Sequence, residues 1–246
     1  MENRRAIREP EFHASVLMGM DHPLNRPLLA LVLLAPVPTI GVTSAMILCP
    51  GPVGQSIFMA AKIWLVALPF VWHLAVDRHP ASWSPTTGRH LLAGLGLGVA
   101  MAAIIVGAYA LIGASAIDPE ELRREITEMG LGTPAAYLGA ALAWSLANSL
   151  MEEIVYRWFL FTRCAAVLSA RAAVLLSAAV FTLHHTVALS TYLTPGLNAL
   201  ASLGIFIAGA IWSETYRRTG SIWPVWVSHI IADLAIFACG WLILTN

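Results

Sequence analysis

The stretch LLAGLGLGVAMAAIIVGAYALIGAS, residues 91–115, runs for 25 residues without one Asp, Glu, Lys, Arg or His. A helix rises about 1.5 Å per residue and the hydrocarbon core of a bilayer is about 30 Å thick, so about 20 apolar residues are enough to cross it. The stretch therefore reads as a transmembrane helix. Its glycines are not a dinucleotide loop, which would follow a strand in a soluble fold. The Gly94-x-x-x-Gly98 spacing is instead expected to be a helix-packing face, with Gly204 and Ala208 serving the same end further on.

On either side of this stretch the pattern repeats. Further apolar runs bounded by charge or by Pro and Gly fall at 28–49, 55–76, 134–161, 172–192, 197–214 and 222–244, giving about seven spans in all. The whole chain, 246 residues with 58% hydrophobic and 11% charged residues, has a mean hydropathy of +0.74, too apolar for an ordinary soluble domain. The fold class expected is all-α, a polytopic bundle organised as a polar N-terminal segment, 1–27, and one transmembrane helical domain, 28–246. Formal net charge is zero and no basic cluster interleaves with aromatics, so nucleic acid is excluded as a partner. Cys49, Cys164 and Cys239 are odd in number and far apart, which suits packing rather than a disulfide framework or a zinc ribbon.

Lysine and arginine collect on the cytoplasmic side of a membrane, which gives an orientation. With seven spans, Arg4, Arg5, Arg8, Arg26, Arg78, Arg89, Arg163, Arg171, Arg217 and Arg218 fall on one side. Only Arg123 and Arg124 fall on the other. The N-terminus is expected to be cytoplasmic and the C-terminus outside. Between the third and fourth spans, residues 118–129 predict a short helix: Asp118 as N-cap, Pro119 in the first position, and Glu120 and Glu121 in the first turn. Leu122, Ile126 and Met129 give it an apolar stripe, suited to a surface helix in the interface or to a lid over a site.

An ionisable side chain at the bilayer centre costs on the order of 3 kcal/mol or more, so each one needs a partner or a task. Lys62 and His73 share a face of the second span but stand about three turns apart, and they are read as structural. The others gather by depth. Counted from the nearest arginine at about 1.5 Å per residue, Glu152 lies about 16 Å in, His185 about 21 Å, and His229 and Asp233 about 16 and 22 Å. Three helices thus bring acids and histidines to one slab. Residues four apart share a helix face, so Glu153 is expected to pair with Arg157, leaving Glu152 with Asn148 one turn earlier to face the site. Phe181 aligns with His185, and His229 with Asp233. His184 points elsewhere and is read as structural.

At these positions the sequence resembles the CPBP family of intramembrane endopeptidases, which includes the type II CAAX prenyl proteases and the bacterial Abi proteins. The family's Glu-Glu-x-x-x-Arg stands as Glu152-Glu153-Ile154-Val155-Tyr156-Arg157, its Phe-x-x-x-His as Phe181 to His185, and its His-x-x-x-Asn/Asp as His229 to Asp233. These motifs cover about 150 to 235, within an expected catalytic core of about 134–244. The resemblance implies a glutamate-dependent protease in which Glu152 and His185 activate water while His229 and residue 233 stabilise the oxyanion. Glu153, Arg157, Phe181 and Asn148 take supporting roles. Asp233 replaces the asparagine of many members, and an ionised Asp donates no hydrogen bond, so it must be protonated or must orient His229.

The expected activity is endoproteolysis of a membrane-associated protein or peptide near a C-terminal anchor or sorting segment, in a bacterial inner membrane and with no cofactor. Glu152, His185, His229 and Asp233 would also make an acceptable zinc set, which is the alternative chemistry. A proton-coupled transporter would use the same residues as a relay, but internal repeats and broken helices, its usual marks, are not evident.

Overall fold

The computed structural model describes residues 25–78 and 84–245. Most of the expected N-terminal segment, with Arg4, Arg5 and Arg8, lies outside these described residues. Among them every regular element is helical. Six helices are long and apolar enough to cross a membrane: α1 (Arg26–Leu48), α2 (Pro52–Val76), α3 (Gly88–Gly113), α6 (Ala170–Leu189), α7 (Pro195–Thr219) and α8 (Trp223–Thr245). Between α3 and α6 come the short α4 (Pro119–Glu128) and a long helical stretch, α5, over 134–167.

The helix α5 corresponds to the fourth expected span, but it differs from the other six. Its winding changes along its length, with wide i→i+5 turns at Trp144–Asn148 and Glu153–Phe161, and it carries Glu152, Glu153, Arg157 and Arg163. The sixth expected span, the shortest at 197–214, is instead 25 residues long. The reason is that Glu214, Arg217 and Arg218 satisfy one another as i,i+3 and i,i+4 ion pairs, so charge extends the helix rather than bounding it. Gly220 then stops it in the left-handed conformation, at φ 63°.

Capping side chains mark four of the eight helix starts. Thr87, Asp118, Thr133 and Ser169 each accept a backbone N–H of the following turn through the side chain, which satisfies donors that a first turn leaves open. Within α4 the expected stripe is only partly inward: Ile126 is buried, whereas Met129 is exposed.

The contacts divide the chain into two compact units. Among the described residues, one comprises 25–78 and 154–220, the other 84–153 and 221–245. In the first, α1 and α2 approach closely enough that a Cβ on Gly41 would lie 2.9 Å from that of Ala61, and Trp64 donates its indole N–H to Leu33 O at 2.9 Å. Near the polar end of α2, the partly buried Asp77 and Arg163 form an ion pair. Between α6 and α7, Thr186, Ser202 and Asn198 form a closed polar chain: Ser202 donates to Asn198 Oδ1 at 3.2 Å, and Asn198 Nδ2 donates to Thr186 O at 3.1 Å. Interhelical hydrogen bonds of this kind hold helices together where no water competes.

In the second unit α3 packs along α8 through the glycines expected to do so. A Cβ on Gly94 would fall 2.2 Å from Pro224 O, and one on Gly98 would meet Ser228 Cα at 3.0 Å. Tyr137 of α5 donates to Phe237 O of α8 at 2.8 Å, and its hydroxyl occupies the space a side chain at Gly240 would fill.

Candidate active site

In the second unit, α5 and α8 assemble an acid-rich cluster around one imidazole. His229 is 4% exposed. Its Nδ1 lies 2.7 Å from Glu153 Oε1, while its Nε2 lies 3.7 Å from Glu152 Oε2 and 3.6 Å from Asp233 Oδ1. Asn148 Nδ2 donates to the other oxygen of Glu152 at 3.0 Å. Glu152 and Glu153 are both buried, and Asp233 is partly so. An ionised carboxylate can only accept, so with Glu153 charged the His229 Nδ1 must carry the proton. That fixes the tautomer: Nε2 holds a lone pair in the neutral ring and a second N–H in the imidazolium. The two distances at Nε2 are too long for direct hydrogen bonds.

Spacing alone pairs Glu153 with Arg157 in a structural part. The structure adds a contact that spacing does not contain, since Glu153 is the residue that orients His229. Helical phase supplies the reason. Tyr137, Ala141, Ser145 and Ser149 are all buried at intervals of four. In a uniform α-helix such a row would drift about 120° round the axis over twelve residues. A wide turn inserts one residue and takes back about 100° of that drift. The turn at Trp144–Asn148 therefore returns Ser149 to the face that Tyr137 begins, and in the next turn Glu152 and Glu153 both reach His229.

The first unit carries the remaining predicted residues. Arg157, on the second wide segment of α5, is 0% exposed, and its guanidinium carbon sits 4.5 Å from the Phe181 ring centre, 5.1 Å from that of Trp212 and 5.9 Å from that of Tyr156. An aromatic cage of this kind suits a weakly hydrated planar cation. The Phe181 and His185 alignment is present: His185 Nδ1 donates to Phe181 O at 2.8 Å, and the two rings lie 4.7 Å apart. A carbonyl partner fixes this tautomer too, leaving His185 Nε2 with its lone pair when the ring is neutral. His184, read as structural, hydrogen-bonds Tyr156 Oη through Nδ1 at 3.1 Å and stacks on that ring.

Tyr156 and Trp212 are absent from the sequence expectations. Tyr156 lies inside the Glu-Glu-x-x-x-Arg motif, at one of its unspecified positions, which is the signal that could have found it. Trp212 carries no such signal, because its place comes only from the packing of α7 against α6. Both wide segments expose backbone carbonyls that side chains then satisfy: Tyr156 O accepts from Ser177 Oγ at 2.9 Å in the first unit, and Leu146 O accepts from Trp226 Nε1 at 3.1 Å in the second. Wide turns of this type recur at functional sites.

No curated protein and no solved structure matches the chain. A family model does, over the segment that holds the acid-rich cluster and the aromatic cage alike. Residues 134–235 match the family described as type II CAAX prenyl endopeptidase Rce1-like, so this chain of membrane-spanning helices carries a domain of the CAAX-type membrane proteases, a family of hydrolases.

Proposed function

We propose that the protein is an intramembrane endopeptidase that hydrolyses a peptide bond with water activated by Glu152. The observation that carries this reading is the His229 imidazole, held at Nδ1 by Glu153 and faced at Nε2 by Glu152 and Asp233. A water hydrogen-bonded to Nε2 at about 2.8 Å would also be within reach of both acids. Glu152 takes one proton as the water oxygen bonds to the peptide carbon, and the carbonyl becomes an oxyanion. His229, as imidazolium, donates from Nε2–H to that oxygen, and a protonated Asp233 donates beside it. Glu152 then returns its proton to the nitrogen as the C–N bond breaks, leaving a carboxylic acid and an amine, and the acid's remaining proton passes to the amine to give a carboxylate and an ammonium. Asn148 keeps the Glu152 carboxylate turned by binding one oxygen.

The substrate class that suits a site on membrane helices is a membrane-associated protein or peptide, cut near a C-terminal anchor or sorting segment, in a bacterial inner membrane with the N-terminus cytoplasmic. His229 stands six residues into α8 and Asp233 ten, or about 9 and 15 Å along its axis. The test is cleavage by purified protein in lipid nanodiscs of two fluorescence-quenched peptides, one ending in a farnesylated cysteine and three further residues, the other carrying an apolar C-terminal anchor. Cleavage by wild type and none by Glu152→Gln is the expected result, whereas equal cleavage by both sinks the reading. Zinc is the second reading, because the carboxylates of Glu152 and Asp233 and the imidazole of His229 are chemically acceptable zinc ligands. Activity lost to a chelator and restored by zinc would select it. Our reading expects chelation to have no effect.

A further inference from the structure

We infer that Trp226 is a positioning residue for the reaction, acting through the wide turn of α5 that aims Glu152; the inference rests on the reading of Glu152 as base. At Trp144–Asn148 the Ser149 N–H is shared between Trp144 O and Leu146 O. It passes over Ser145 O, the carbonyl it would bond in an ordinary α-turn, and that carbonyl needs another donor. Ser145 O takes the hydroxyl of Ser149. The indole N–H of Trp226 lies 3.1 Å from that hydroxyl oxygen and donates to Leu146 O, also at 3.1 Å. One donor on α8 thus holds both sides of the widened turn. In a membrane no water replaces it, so its loss favours the turn's relaxation to ordinary α-helical pairing.

Relaxation has a definite geometric result. Removing the inserted residue from the turn rotates the next stretch of helix by about 100°. That rotation carries away Glu152, the partner of Asn148, and Glu153, the partner of His229. Trp226 also sits three residues before His229 on α8, so a single side chain ties the helix of the imidazole to the turn that sets the acids. Tryptophan suits the task because it donates only, from a rigid ring, and so cannot compete for the donors that the acids need.

The test is Trp226→Phe, which keeps a ring and removes the N–H, assayed with the same two peptides beside Asn148→Ala, the double variant and Glu152→Gln. The expected result is a fall in kcat of about tenfold to a hundredfold with KM and thermal midpoint little changed, since a small misplacement of reacting groups carries that cost. Because both variants act through the placement of Glu152, the double variant should lose less than the product of the single losses. Wild-type kcat in Trp226→Phe with Glu152→Gln inactive overturns the inference alone. Activity retained by Glu152→Gln overturns the function it rests on. A loss that tracks the thermal midpoint makes Trp226 merely structural and also overturns it. Should Trp226→Phe fail to fold, benzothienylalanine at 226, which keeps the shape of indole without its N–H, reads the same kcat.

Discussion

The two units bury charge in opposite ways. In one, Arg157 lies among Phe181, Trp212 and Tyr156, and the histidines beside it spend Nδ1 on a carbonyl and a hydroxyl. In the other, three acids surround the single His229, with only one of them in direct hydrogen-bonding range. The ring faces around the Arg157 guanidinium take no proton from it, whereas the carboxylates around His229 can exchange one with the imidazole. The contrast teaches that burial in an apolar bundle does not by itself mark a reactive group. The acids not in direct hydrogen-bonding range of His229, Glu152 and Asp233, are the ones the proposed mechanism uses.

Substitutions in the acid-rich cluster should therefore cost rate, and those in the aromatic cage should cost stability. The largest effect is expected for Glu152→Gln, a loss of about a thousandfold in kcat, or about 4 kcal/mol, with an unchanged thermal midpoint. Next is Arg157→Ala, which empties the cage and removes a buried cation; thermal unfolding in detergent should show about 3 kcal/mol of destabilisation. A full-length protein with wild-type stability after this change would erase the distinction between the two regions. Glu153→Gln should then lower kcat by about a hundredfold, because an amide no longer favours the charged imidazole at its Nδ1, and initial-rate kinetics at saturating peptide will show it. The smallest effect belongs outside both regions. Asp118→Ala removes the cap of α4 and should cost about 1 kcal/mol of helix stability, read by hydrogen exchange at Glu120 and Glu121, with cleavage unaffected if α4 is no lid.

Much of this architecture is legible in the sequence because its signals are local. A run without charge declares a spanning helix, Gly94 and Gly98 declare a packing face, and the four-residue interval of His229 and Asp233 declares a shared one. Phase and partnership are not legible in the same way. A constant 100° per residue holds only for a uniform helix, and nothing in Trp144-Ser145-Leu146-Ala147-Asn148 announces a wide turn, since its stabilising donor lies 80 residues away at Trp226. The same irregularity hides the contact of Glu153 with His229. The helix α7 outruns its expected end at Glu214 for a different reason: charges that look like a boundary can pair with one another and continue a helix. The Arg157 cage draws on α5, α6 and α7 at once, and no interval within one segment could reveal it.

The glycine at 94 has one more consequence, for how the molecule could open. With an added Cβ only 2.2 Å from Pro224 O, α3 and the start of α8 touch backbone to backbone, with no side chain between them to act as a bearing. Sliding or parting this pair would forfeit close contact along its length, so α3 and α8 travel as one body. Parting them would forfeit that backbone contact, which disfavours a path for substrate between α3 and α8.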